Sequence, residues 1–195
     1  MPASPAPERE QFDPHVLPEG LPVPVDDGAA DHLPGLEVPA VRLPSSQGEV
    51  DLAELCSGLA VVYVYPRTGT PGVAPPPGWD ETPGARGCTP QSCAFREHAA
   101  ALASLGARVA GLSAQSPADQ LEFATREHIP YPVVSDERLQ LSEAIGLPTF
   151  EIAGMRLYRR LTFVARAGRI VHVFYPVFPP DRNAAEVVAW LTANA

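Results

Sequence analysis

Cysteine is scarce in this chain. Three residues among 195 are too few for a disulfide framework, and the count is odd. A chain of that length can bury a core without staples, so a single ordinary domain with some extra sequence is expected. Basic charge is also in deficit, with 14 Lys and Arg against 23 Asp and Glu and a formal net charge of −9. That balance argues against nucleic acid or an anionic membrane as partner, since either would require a basic face. No apolar run approaches the length needed to span a bilayer. The start, Met1-Pro2-Ala3-Ser4-Pro5, leads into Glu8-Arg9-Glu10 without a basic region and an apolar stretch behind it. No export signal is legible there, and a reducing cytoplasm is the expected compartment, where a disulfide would be transient and functional. No internal repeat is visible.

Proline, by contrast, is abundant: its 24 residues cluster near the N-terminus and before Cys88. Residues 1–33 are rich in Pro, Asp, Glu and Ala without sustained periodicity, which predicts an arm that is poorly ordered or lies on the surface. The remainder, 34–195, is expected to form the folded domain. Leu36 to Leu43 alternates weakly and contains Pro39, so it reads as an edge strand or extended segment. Val50 to Leu55 suggests a short helix that carries Cys56 near its end, most simply as a small buried hydrophobe.

The centre of the pattern is Val61 to Leu105. Val61-Val62-Tyr63-Val64-Tyr65 is an apolar, β-branched and aromatic strand ended by Pro66. Thr89-Pro90-Gln91-Ser92 predicts a helix start, with a capping hydroxyl and proline in the first turn. Phe95, Ala99, Leu102 and Leu105 follow at helical spacing up to Gly106. Beyond it come a strand at Arg108–Ser113, a helix capped by Ser116, and a short strand within Ile129–Val134. A helix over Asp136–Ile145, an irregular stretch at Leu147–Leu157, a hairpin of Arg160–Ala165 with Ile170–Tyr175, and a last helix capped by Asn183 complete the chain. Strands alternating with helices, then a hairpin, predict a mixed α/β domain with a sheet between helices.

Cys88 stands immediately before the predicted cap and Cys93 one turn into the helix. A thiol at a helix N-terminus meets unpaired N–H groups and the positive end of the dipole, and both favour the reactive thiolate. Gly87 allows close approach and Arg86 adds a nearby cation. The four-residue gap between the thiols does not fit a Cys-x-x-Cys redox pair. His15, His32, His98, His128 and His172 are too scattered to supply metal-ligand spacing, so no metal is expected. The bland alternative is a pair of buried structural cysteines.

Four ordered blocks carry a resemblance. Tyr65-Pro66-Arg67-Thr68-Gly69-Thr70-Pro71-Gly72, Cys88-Thr89-Pro90-Gln91-Ser92-Cys93, Tyr131-Pro132-Val133-Val134-Ser135-Asp136 and Arg160-Leu161-Thr162-Phe163-Val164 resemble the peroxiredoxins. The type is peroxiredoxin Q, also called bacterioferritin-comigratory, and the similarity runs from about Gly35 to Leu191. It implies a thioredoxin-like fold and a thiol peroxidase without cofactor or metal. Cys88 would be the peroxidatic nucleophile, Cys93 the resolving thiol, and Arg160 the guanidinium that holds the thiolate and polarises the peroxide. Pro66 and a threonine belong to the same motif. The implied reductant is thioredoxin or glutaredoxin, and a monomer or weak homodimer is expected.

The chain departs from that pattern in one place. The family's threonine lies three residues before the cysteine, where this chain has Ala85, and residues 73–87 form an insertion. Thr70 keeps its spacing from Pro66 and would bond the thiolate if the insertion loops out; Thr82 is the rival. The insertion reads either as a surface loop or as a lid that carries Trp79. A non-enzymatic redox sensor, using the same two cysteines to change a surface, is the alternative from another class.

Overall fold

The computed structural model describes residues 12–194. Its backbone of pleated elements comprises β1 (Arg42–Ser45), β2 (Gly48–Asp51), β3 (Leu59–Val64), β4 (Ala107–Ser113), β5 (Val133–Ser135), β8 (Leu161–Arg166) and β9 (Arg169–Phe174). These form one sheet in the order β2-β1-β5-β4-β3-β8-β9. The central strand β3 pairs parallel with β4, where Val62 meets Ala110, and antiparallel with β8, where Val62 meets Phe163. The mixed α/β architecture with a helix-flanked sheet is the thioredoxin-like arrangement the sequence predicts.

Pleating divides the apolar run of β3 between two cores. Ala60, Val62 and Val64 point to one face with Leu43, Leu52, Leu112, Leu141 and Phe163. Val61, Tyr63 and Tyr65 point to the other with Cys88, Phe95, Leu102, Phe123 and Leu191. A strand buried on both faces needs apolar residues at every position, which is why this run does not alternate with polar ones. Helices α2 (Cys88–Glu97), α3 (Ala99–Ser104), α4 (Pro117–Arg126) and α6 (Asn183–Ala193) supply the second face; α1 (Leu52–Leu55) and α5 (Gln140–Ile145) cover the first.

Local chemistry shifts several expected boundaries. The helix predicted to run to Leu105 breaks at His98 (φ −93°, ψ 2°), leaving α2 and α3. Its first residue is Cys88 rather than one after a Thr89 cap, because the capping position is Gly87 in the left-handed region (φ 99°). A side chain there would meet Pro180 at 2.3 Å and Leu17 at 2.8 Å, so only glycine fits. Asp136 lies outside α5 and caps it, its carboxylate accepting from the N–H groups of Gln140 and Leu141 at 2.8 and 2.9 Å. Asn183 lies inside α6, which a short 3-10 turn at Pro180–Arg182 precedes. Pro130 and Pro132 lack N–H donors, and β5 shrinks to three residues.

The stretch at Leu147–Leu157, read as irregular, holds a two-stranded hairpin: β6 (Thr149–Ile152) and β7 (Met155–Tyr158). Its turn is Ala153-Gly154, both at positive φ (48° and 76°), as a two-residue hairpin turn requires. Alanine is an uncommon residue at such a position, so the turn carries no usual signature. The arm from Phe12 to Leu33 lies along the surface in extended turns and buries Ala30 and Leu33 in the first core; the first eleven residues of the expected arm lie outside the described ones.

Candidate active site

β3 delivers the chain to the site. Its ladder ends at Pro66, which is buried and has no N–H, and the next amide turns away from the sheet. That amide, of Arg67, donates to Cys88 Sγ at 3.4 Å. Cys88 is the first residue of α2 and only 3% exposed, so its sulfur sits at the end of the helix where backbone donors are free.

Arg160 approaches from the start of β8, and its Nη2 donates to Cys88 Sγ at 3.1 Å. The guanidinium is 4% exposed. It also donates to the carbonyls of Gly84, Ala85 and Arg86 at 3.2, 3.1 and 3.0 Å, and to the Gln91 side-chain oxygen. Gln91 is in turn anchored to Asn183, which accepts from Thr162 as well. Among the described residues no carboxylate pairs with Arg160. A buried cation without a counter-ion is costly, and Arg160 is placed to stabilise negative charge that develops at the Cys88 sulfur.

The insertion reaches this centre. Its last residues, Gly84 to Arg86, run beside the sulfur, pinned by Arg160, and the Ala85 carbonyl lies 3.5 Å from Sγ. Trp79, buried, packs with Ala85 and Leu157 against the β6–β7 hairpin. A cavity of about 330 Å³ opens over Cys88, walled by Phe12 and Pro14 of the arm, by Thr68 to Thr70, and by Val73 to Trp79. The insertion thus supplies part of the cavity wall.

Thr70 does not take the place predicted for it. It lines the cavity and is exposed, but its hydroxyl makes no hydrogen bond to the sulfur; the Thr82 hydroxyl donates to the Gly78 carbonyl at 2.7 Å. The insertion does not loop clear of the site and restore the spacing. Its C-terminal end itself occupies the ground beside Sγ, and the contacts fall to the Arg67 amide and the Ala85 carbonyl. A different hydroxyl is free. Thr89, read from sequence as a helix cap, is 1% exposed, and its buried Oγ1 has no hydrogen-bond partner among the described residues. Sequence reasoning also missed Gln91 and the Arg67 amide; neither carries a local signal, because one acts through Arg160 and the other is backbone.

Cys93 is partly buried and points away from Cys88, its thiol donating to Glu127 at 3.6 Å. Burial, with Glu127 adding to it, pushes its pKa up to about 11. Cys56 is remote, fully buried and pushed up to about 12, an inert thiol.

The family model "Redoxin" matches residues 33–189. The chain is 30% identical over 162 residues to peroxiredoxin Bcp of Escherichia coli (strain K12), covering 80% of this chain and 94% of that one. It is 29% identical over 154 residues to the chloroplastic peroxiredoxin Q of Gentiana triflora, covering 78% of this chain and 64% of that longer relative. Among solved structures, peroxidoxin BcpB of Mycobacterium tuberculosis superposes with a TM-score of 0.67 at 26% identity, over 84% of this chain and 98% of the other. The bacterioferritin comigratory protein of Xanthomonas campestris, solved as trapped intermediate/ligand complexes bearing on its alkyl peroxide reduction, gives 0.64 at 25% identity, over 82% and 97%.

Proposed function

Starting from a chain that belongs to the redoxin family, and within it to the peroxiredoxins of the Q/Bcp type, we propose that it is a thiol peroxidase whose nucleophile is Cys88. The observation that carries this reading is the buried Arg160 guanidinium, 3.1 Å from the buried Cys88 sulfur. The thiolate attacks one peroxide oxygen: an S–O bond forms, the O–O bond breaks, and the leaving alkoxide or hydroxide takes a proton from water. Arg160 and the Arg67 amide are placed to stabilise charge on the leaving oxygen. The family's threonine position is Ala85 here, and the exposed Thr70 stands in the cavity wall.

Cys88 is left as a sulfenic acid, and Cys93 condenses with it to a disulfide with loss of water. A thioredoxin or glutaredoxin dithiol then returns both thiols and leaves as its own disulfide. Attack and resolution both use residues of one chain, so a monomer or weak homodimer suffices, acting in the cytoplasm. No described helix is long and apolar enough to cross a membrane.

The cavity suits organic hydroperoxides. Hydrogen peroxide needs only a small fraction of about 330 Å³, whereas Phe12, Pro14, Val73 and Trp79 present an apolar wall to an alkyl or aryl body. Steady-state turnover with a thioredoxin system tests both parts. We expect kcat/KM for cumene hydroperoxide to exceed that for hydrogen peroxide, and Trp79→Ala to lower the former through KM while leaving hydrogen peroxide reduction in place. Disulfide formation without turnover would instead leave a redox sensor.

A further inference from the structure

His15, Cys93 and Glu127 lie 34 residues or more apart in sequence, yet one potential ligand atom from each falls within 4.8 Å of the other two. We propose that they form a Zn²⁺ site that exists only in the reduced protein, with three protein ligands and one position open to water. Tetrahedral zinc with sulfur, nitrogen and oxygen donors separates neighbouring ligand atoms by about 3.4–3.6 Å. Here Cys93 Sγ is 3.6 Å and His15 Nε2 3.0 Å from Glu127 Oε2, and all three donors lie within 4.8 Å of one another, so shifts of about 1 Å bring them to tetrahedral spacing.

The surroundings are arranged as they are around metal ligands. Asp13 Oδ1 lies 3.0 Å from His15 Nδ1 and accepts from it, which leaves Nε2 as the ligating nitrogen in the carboxylate–histidine pattern. Arg126 holds Glu127 Oε1, while Oε2 faces His15 and Cys93 with Arg96 at 3.8 Å. Arg96 donates to the Glu127 main-chain carbonyl at 2.6 Å and fixes that residue in place. Both guanidiniums are already countered, Arg126 by Glu122 at 2.8 Å and Arg96 by Glu97 at 3.7 Å. With Cys93 as thiolate and His15 neutral, four carboxylates and one thiolate against two guanidiniums leave a negative surplus that favours a divalent cation. The site is reachable, since the His15 side chain is 47% exposed.

Binding exchanges protons only: the Nε2 proton of His15 and the Sγ proton of Cys93 leave to solvent, and no electron moves. The consequence for turnover rests on Cys93 being the resolving thiol. Zinc and the Cys88–Cys93 disulfide then exclude one another. The ion holds back resolution, and peroxide sufficient to oxidise the pair expels it.

Metal-free reduced protein titrated with Co²⁺, without peroxide, tests the site directly. A thiolate-to-cobalt charge-transfer band should appear at one equivalent, persist in Cys88→Ser, vanish in Cys93→Ser, and require at least tenfold more Co²⁺ in His15→Ala. In turnover, Zn²⁺ should block disulfide formation while a dimedone-type trap still captures the Cys88 sulfenic acid. With hydrogen peroxide, which does not need the arm's apolar wall, His15→Ala should keep turning over at zinc levels that arrest the parent. No band at saturating Co²⁺, or one that survives Cys93→Ser or ignores His15→Ala, overturns the site and leaves His15 and Glu127 as an ion pair fastening the arm. A protein that binds Co²⁺ through Cys93 but reduces no peroxide would sink the peroxidase reading alone.

Discussion

At the scale of the residue, three thiols in one protein have three fates, set by what surrounds each. Cys56 is sealed in the core, where burial outweighs the pull of Arg108 on its anion, Cys93 faces a carboxylate, and Cys88 faces a guanidinium and a backbone amide. Cys88→Ser is therefore expected to abolish peroxide reduction and Cys56→Ser to leave it nearly intact; equal losses in steady-state turnover would contradict the assignment. Arg160→Ala should slow the first step, measured as loss of the Cys88 thiol on mixing with peroxide, by roughly a hundredfold, the scale set by losing one preorganised donor to developing charge. It should also loosen Gly84 to Arg86, whose carbonyls lose their common donor. Only the position of Cys88 at a helix start was legible locally. That Arg160 reaches it across 72 residues follows from β8 lying beside β3.

At the scale of the element, α2 must do two incompatible things. Wound, it presents Cys88 to Arg160 and buries Cys93 on another side. Five residues of regular helix separate the two positions by roughly 7.5 Å along the axis and about 140° around it. A disulfide requires Cα atoms within about 7 Å and side chains that face one another, so it cannot form in regular helix. The first turn therefore unwinds on resolution, at a cost of a few backbone hydrogen bonds of about 1 kcal/mol each. Unwinding also exposes Cys93, removing the burial that holds its thiol protonated. Amide exchange from Gly87 to about Phe95 should be faster in the oxidised protein, with β3, β4 and β8 unchanged. A Cys88–Cys93 disulfide accompanied by the same protection as the reduced form would refute this account of α2.

At the scale of the molecule, the arm is a clamp. Phe12 packs on Gly69 and under the Arg86 guanidinium, 4.6 Å from its ring centre. Arg86 donates to the carbonyls of Asp13 and Val16, and Leu17 leans on Gly87. His15 ties this segment to Glu127, and that hydrogen bond raises the His15 pKa above its ordinary 6.5. A raised native pKa stabilises the docked state fully below 6.5, and the contribution fades as pH climbs through the higher native value. In metal-free protein, amide protection of Asp13 to Leu17, corrected for intrinsic exchange, should fall as pH rises from 6 toward 8, and His15→Ala should show the low protection at every pH. Flat protection across that range would remove His15 from the clamp.

Taken alone, the sequence determined what depends on neighbours along the chain. The doubly apolar run of β3, the proline that ends it, the glycine before Cys88 and the hydroxyl cap of α4 each encode backbone geometry within a few residues, and the fold class follows from their order. The four motif blocks carried the family for the same reason, being short and contiguous. The resemblance named Arg160 as the cation beside Cys88, but tertiary structure decided the other meetings of side chains. The arm and insertion that wall the cavity, the lack of a Thr70 bond to the sulfur, and the meeting of His15, Cys93 and Glu127 depend on which elements the fold lays side by side. Strand adjacency is a property of the closed sheet, set by burial on both its faces at once, and no local pattern in the chain records it.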